Sequence, residues 1–528
     1  MFEGDGTTAG GMSSTAFSES DLLIHSLSYD LDRPVVTFAD TGRVVDAREF
    51  RDVLSRYVQA LKSRNLARGT RVGLISRNRP EVLFVHGAMP FTGLTIVPLH
   101  PGGSVDDIAY AIEDAQIEAL IFDSSHYHDM ARALDGRLPH LNHFLALGPT
   151  EIGEDLTKLA ESFAPQPLVR LHRDPEEIVR LGYSGGTTGQ SKGITFSSRC
   201  LLTMMDIMLK EWEWPDEIRH LICSPLSHAG GVIFTPTMVK HGSMIVLPGF
   251  DATAVLEAIE KYRINSMLVV PTMIYSLLDH PRLKDYDLSS LEVIYYGSSL
   301  ISPSRLKEAI ETFGPIFFQF YGQAEAPMTV TVMKRADHDP TDLNRLASCG
   351  RPVPWVRVQL MDDDDKPVED GEPGEICVQG PLLMSGYLNK PEQTAEAFAG
   401  GWLHTGDVAV RDPDGFLRIV DRKKDMIVTG GFNVYPREVE DVLTSHAAVA
   451  AAAVIGVPHE RWGEAVKAVV VLRDGAIVSE AELIALVRAR KGAVQAPKSV
   501  LFTDRIRLSS VGKPDKKALR ASFRSTES

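Results

Sequence analysis

The sequence predicts an α/β protein: a large N-terminal domain of helix-flanked, mainly parallel sheets with a smaller antiparallel sheet region, followed by a small α+β C-terminal domain. Three observations carry this. Short apolar, β-branched runs alternate with amphipathic segments over most of the chain, the pattern that lays parallel strands between covering helices. After about Ser348 the alternation gives way to hairpins. And 528 residues with 44% hydrophobic content exceed one small module yet suffice for one large core and a satellite.

Taken in order, Met1 to Ser18 is rich in Gly, Thr and Ser and predicts a disordered tail, with Met12 an alternative start. The large domain is expected over 19–420. VVTFA from Val35 reads as a strand, RVVD as its hairpin return, and Asp46 to Ser63 as a helix capped by Asp46, with Glu49 three residues on. RVGLIS, TIVPLH and ALIFD are strand-like, and the segments between them are helical. A second stretch of the same kind runs from Arg219 to about Phe320, with LICSPL, SMIVLPG, SMLVVP, EVIYYG and IFFQFYG as strands. Nearly all end at Gly, Pro or Ser, and the carboxyl ends of parallel strands are where ligands bind. The acidic run Asp362 to Asp365 reads as the solvated tip of a hairpin, because consecutive carboxylates on a turn diverge. After Val420 a separate small unit over 426–528 is expected, joined to the body through 421–425.

Lys and Arg number 55 against 70 Asp and Glu, a net charge of −15. This argues against bulk attraction to nucleic acid or anionic membrane and leaves room for a local cationic pocket. The four cysteines, at 200, 223, 349 and 377, form no CxxC pair and suggest neither a zinc motif nor a disulfide framework, so a reducing cytoplasm is the expected setting. No apolar run reaches the ~18 residues of a membrane span and the first residues lack the order of a signal peptide, so no stable membrane insertion is expected.

Tyr183 to Gly193 reads YSGGTTGQSKG after a strand-like segment. Glycines let backbone N–H groups approach phosphate oxygens, hydroxyls add donors and Lys192 adds charge. The spacing is not that of a Walker A loop.

This loop resembles the phosphate loop of the adenylate-forming (ANL) superfamily, of the acyl-CoA synthetase or fatty-acid-CoA ligase type. Five further motifs occur in that family's order: PLSHAGG at 225–231, YGQAE at 321–325, GWLHTGD at 401–407, DGFLRIVDRKKDMIVTGGFNVYPREVE at 414–440 and SSVGKPDKK at 509–517. The resemblance implies an acid–thiol ligase that joins a carboxylate to AMP, releasing pyrophosphate, and then passes the acyl group to a thiol. It implies ATP, Mg²⁺ and coenzyme A. Ser184, Thr187, Thr188, Gly189 and Lys192 would hold phosphates, and Glu325 the metal. Asp407 and Arg422 would hold the ribose, Tyr321 would lie against adenine, and Gly322, Gln323 and Ala324 would complete that motif. Gly297, Ser298 and Ser299 would edge the adenine and acyl pocket. Lys513 would serve adenylation, Lys424 the hinge, and His228 would gate a thiol tunnel lined by Gly430 and Gly431.

No Asp lies in 225–233, where amino-acid-activating relatives carry one, so a plain carboxylic acid is favoured. Gly230, Gly231 and Gly297 suggest volume for a bulky or long lipophilic acyl group. Ala324 stands where the family usually has a Thr that donates to the α-phosphate, so adenylation is expected to be the weaker half. Alternatives are a thioesterification-only enzyme fed acyl-adenylate by a partner, or an adenylating enzyme that loads a carrier protein. A monomer or homodimer is expected.

Overall fold

The structure, a computed structural model, describes residues 18–184, 191–423, 425–429, 432–459, 462–508 and 514–524. Among these, two large sheets form the body. The first has nine strands, in the order Arg351–Pro352, Thr331–Met333, Phe317–Tyr321, Val293–Tyr296, Ser266–Val269, Arg219–Ile222, Ser243–Val246, Pro34–Phe38 and Val44–Asp46. Its interior pairs are parallel and both edges are antiparallel. The second has eight strands, in the order Gly386–Tyr387, Lys192–Ser197, Ile178–Ser184, Thr95–Pro98, Arg71–Ile75, Ala119–Phe122, His143–Ala146 and Glu154–Asp155. Ser266–Val269, Val293–Tyr296 and Ala119–Phe122 are buried at every position, as strands covered by helices on both faces must be.

The expected hairpin at Val35 forms, Pro34–Phe38 pairing antiparallel with Val44–Asp46, but it does not join the sheet of Arg71–Ile75, the strand that comes next in the chain. Pro34–Phe38 pairs in parallel with Ser243–Val246 and so belongs to the sheet built mostly from the second stretch. The helix after it runs Ala47–Lys62, with the Asp46 carboxylate accepting from the Glu49 N–H at 2.8 Å. Ser18 is not part of a loose tail: it is buried and caps the helix Glu19–Tyr29 in a reciprocal capping box with Asp21.

Arg357–Met361, Gly374–Gln379, Leu403–Arg411 and Leu417–Arg422 make a four-stranded antiparallel sheet. Asp362 to Asp365 form the tip of its first hairpin, where the Asp362 side chain accepts from the N–H groups of Asp364 and Lys366. Beyond Arg422 a last sheet is built from Ile427–Thr429, Phe432–Val434, Val449–His459, Gly463–Leu472 and Ser499–Phe502. It carries its own apolar core, including Val439, Leu443, Val454, Val466 and Leu483.

Polar contacts join this unit to the body. The Arg437 N–H donates to the buried carboxylate of Asp421 at 3.0 Å, and the Thr444 hydroxyl lies 3.1 Å from that of Ser302. Among the described residues no helix is long and apolar enough to cross a membrane.

Candidate active site

Antiparallel pairing of Leu403–Arg411 with Leu417–Arg422 sets Asp407 opposite Arg422. The Asp407 carboxylate is buried. One oxygen lies 2.9 Å from the Arg422 Nε; the other accepts from the Tyr321 hydroxyl at 2.8 Å and the Gln323 amide at 2.5 Å. Tyr321 arrives from the carboxyl end of its strand and Gln323 from the turn that follows, so two sheets meet at one carboxylate. Asp407 raises the Arg422 pKa, holding its charge. A cavity of about 330 Å³ opens here, lined by Thr405, Gly406, Arg422 and Lys423. A second of equal volume, lined by His128, Pro149, Thr150 and Glu151, involves none of the motif residues. Because the Tyr321 hydroxyl is committed to Asp407, only its ring is left to meet a base.

Glu325, two residues beyond Gln323, accepts a hydrogen bond from the Tyr387 hydroxyl at 2.8 Å. The Lys192 ammonium sits 4.6 Å from the centroid of the same ring. Lys192 opens the strand after the Gly-rich loop and pairs with Ser184, which closes the strand before it. Tyr387 therefore links a carboxylate to the lysine of the loop, and nothing in the sequence singles it out: it lies 62 positions from Glu325 and outside the six motifs. Among the described residues the second Glu325 oxygen takes no hydrogen bond, which suits a carboxylate that ligates a hard cation. Ala324 is exposed on the same turn. Thr187, Thr188, Gly189, Lys424, Gly430, Gly431 and Lys513 lie outside the described residues, and of Ser184 only the backbone is described.

His228 precedes the short helix Ala229–Val232. Its Nδ1 is 2.8 Å from the Ser227 hydroxyl, and its ring meets that of His100 edge-on, with centroids 4.9 Å apart. Burial, with His100 and Arg180 adding to it, pushes His228 down to about 4, so the imidazole is neutral at physiological pH. Arg180 donates to the Ser227 carbonyl at 3.3 Å, and burial draws its own pKa down to about 10 against the opposing charge of Glu19. Glu19 in turn accepts from Thr235 at 2.7 Å. Neither Glu19 nor Arg180 falls in a motif.

The glycines expected to leave acyl volume do not do so. A Cβ on Gly230 would lie 2.5 Å from the Ser224 carbonyl oxygen, and one on Gly231 would lie 2.0 Å from that of Leu226. One on Gly297 would lie 2.4 Å from the Phe320 carbonyl oxygen. Protein backbone fills the place of each missing side chain. These glycines permit close approach of chain to chain. Ser298, next to Gly297, has φ 66°, a left-handed backbone that a serine adopts at a cost.

The AMP-binding enzyme family matches residues 25–388, and the AMP-binding enzyme C-terminal domain matches residues 438–513. A medium/long-chain-fatty-acid–CoA ligase of Mycobacterium tuberculosis is 50% identical over 515 residues, covering 95% of this chain and 89% of that protein. A feruloyl-CoA synthase of an Amycolatopsis species is 35% identical, covering 97% and 99%. Among solved structures, the amide bond synthetase McbA of Marinactinospora thermotolerans matches with TM-score 0.87 at 34% identity, covering 96% and 99%. ATP-bound MatB of Rhodopseudomonas palustris matches with TM-score 0.87 at 28% identity, covering 97% and 100%. The chain belongs to the AMP-binding enzyme family, the adenylate-forming superfamily. Within it, the chain is an AMP-forming acid–thiol ligase of the acyl-CoA synthetase type.

Proposed function

We propose that the protein activates a lipophilic carboxylic acid of medium or long chain with ATP and transfers the acyl group to coenzyme A. In the first step a carboxylate oxygen bonds to the α-phosphorus and the bond to pyrophosphate breaks. In the second the thiol sulfur bonds to the acyl carbon and AMP leaves. The observation that carries this reading is the buried Asp407 carboxylate, gathered by Tyr321, Gln323 and Arg422 beside a cavity that its neighbours Gly406 and Arg422 line. On nucleotide binding the ribose hydroxyls would take the free lone pair beside Arg422 and displace one of the donors on the other oxygen. The 50% identity to a fatty-acid–CoA ligase supports the acyl class.

In this reading Ser184, Thr187, Thr188, Gly189 and Lys192 neutralise the phosphates, with Lys192 steadied on the Tyr387 ring. Glu325 would hold Mg²⁺, which when bound offsets charge on the phosphate oxygens. Tyr387 orients Glu325. Gly297, Ser298, Ser299, Gly322 and Ala324 border the nucleotide, and Gly230 and Gly231 border the acyl chain as backbone. Body 19–420 and lid 426–528 turn about Lys424, so that Lys513 serves adenylation, and Gly430, Gly431 and the neutral His228 serve thiol entry.

Ala324 offers no hydroxyl to the α-phosphate. A hydrogen bond to a charged group contributes ~1.5–3 kcal/mol, so its loss slows adenylation by roughly 10- to 150-fold. The test compares pyrophosphate release from acid plus ATP with thioester formation from synthetic acyl-adenylate, in wild type and Ala324→Thr. Faster pyrophosphate release in the variant with unchanged thioester formation is expected; rapid wild-type adenylation that the substitution leaves alone overturns the deficit. The same assay with CoA, a holo carrier protein and an amine as acceptors tests the reading itself. An amine product would favour the second reading suggested by the resemblance to an amide bond synthetase.

A further inference from the structure

Behind the ribose motif three side chains of different chemistry converge. Cys377 and His404 face each other across the strands Gly374–Gln379 and Leu403–Arg411. Glu375 lies two residues before Cys377 and so on the same face. The His404 Nδ1 is 3.3 Å from a Glu375 carboxylate oxygen and 3.5 Å from the Cys377 sulfur. A tetrahedral ion with bonds of ~2.0–2.1 Å to N and O and ~2.3 Å to S has N–O and N–S edges of about 3.3 and 3.6 Å. Two of the three edges thus stand at tetrahedral spacing, and all three ligand atoms lie within 4.8 Å of one another.

The other side of the imidazole can hold its proton: His404 Nε2 is 3.3 Å from the Ala399 carbonyl, an acceptor. With the proton there, Nδ1 presents a lone pair to a cation set between it and the Glu375 carboxylate. A backbone carbonyl behind the distal N–H is the usual support of a metal-bound histidine. The space already tolerates positive charge: the Lys423 ammonium sits 3.4 Å from the same Glu375 oxygen, with Asp363 at 2.7 Å as an alternative partner. Thiol, imidazole and carboxylate together select a borderline-soft ion over Mg²⁺.

We propose that Glu375, Cys377 and His404 form a zinc-class divalent metal site separate from the nucleotide's own metal. On binding, the Cys377 S–H bond breaks, its proton passes to solvent and a sulfur–metal bond forms. Water completes the tetrahedron. The site reaches the nucleotide cavity through one residue: the second Glu375 oxygen accepts from the Gly406 N–H at 2.8 Å, and Gly406 precedes Asp407. A metal on Glu375 also displaces Lys423, next to the expected hinge.

The test titrates the full-length, chelator-treated protein with Co²⁺ as a spectroscopic probe. A thiolate-to-cobalt absorption band that saturates at one equivalent and is displaced by Zn²⁺ is expected. Cys377→Ser should abolish the band while leaving acyl-CoA synthesis in Mg²⁺ alone unchanged, and His404→Gln should weaken binding at least tenfold. X-ray absorption at the zinc edge of the wild type should show one sulfur in the coordination shell, a readout that does not depend on any variant folding. No band in the wild type, a band that persists in Cys377→Ser, or a zinc shell without sulfur overturns the site.

Discussion

Asp407 shows how much one side chain depends on its neighbours. Its carboxylate is shared by a guanidinium from one segment and a phenol and an amide from another. Tyr321→Phe removes one donor and keeps the ring, so we expect a rise of about tenfold in KM for ATP with the fold intact, at the low end for a bond to a charged group. Tyr387→Phe keeps the surface under Lys192 but frees Glu325 from its donor. Adenylation should then fall about tenfold while thioester formation from preformed acyl-adenylate holds, a split that stopped-flow assays of each half can read. Glu325, Asp407 and Arg422 are legible in the sequence because each sits in a contiguous motif. Tyr387, Arg180 and Glu19 are not, because the contacts that give them meaning cross the chain and leave no local pattern.

Strands and helices of the body are legible because burial imposes its period on the residues directly. SMIVLPG, SMLVVP and EVIYYG each contain the observed strand, which stops before the Gly or Pro that ends the run, whereas the strand expected at LICSPL runs Arg219–Ile222 and so starts two residues earlier. What a glycine is for is less legible, since a missing side chain marks either an open pocket or a backbone in the way. At the helix Ala229–Val232 it is the latter. Gly231→Ala would set a Cβ against the Leu226 carbonyl and should cost roughly 3 kcal/mol, the upper end for overpacking, read as a lowered denaturant midpoint. Unchanged stability with an altered acyl preference would assign the glycine to the pocket instead.

Across the whole molecule, buried imidazoles tie stability to pH. His220, against the Ser266 hydroxyl, and His338, between Tyr296 and the Lys334 carbonyl, are pushed by burial down to about 3 and about 4. Their folded pKa values lie below the unfolded ~6.5, so the unfolded chain binds the extra protons. The stability they contribute is present above pH ~6.5 and lost as pH falls towards 4, with a slope approaching about 1.4 kcal/mol per pH unit for each. Urea melts from pH 7 to 5 should show the decline, and His338→Gln should flatten it.

The strand Pro34–Phe38 also fixes an order of events on the ribosome. Its parallel partner, Ser243–Val246, is made about two hundred residues later. At ~5–20 residues per second the first strand waits roughly 10–40 s with its apolar side chains unmatched. Val35 and Val36 are fully buried in the finished protein, so a nascent chain stalled before residue 246 presents a sticky β-segment. A body fragment ending short of that point should fail to stay in solution.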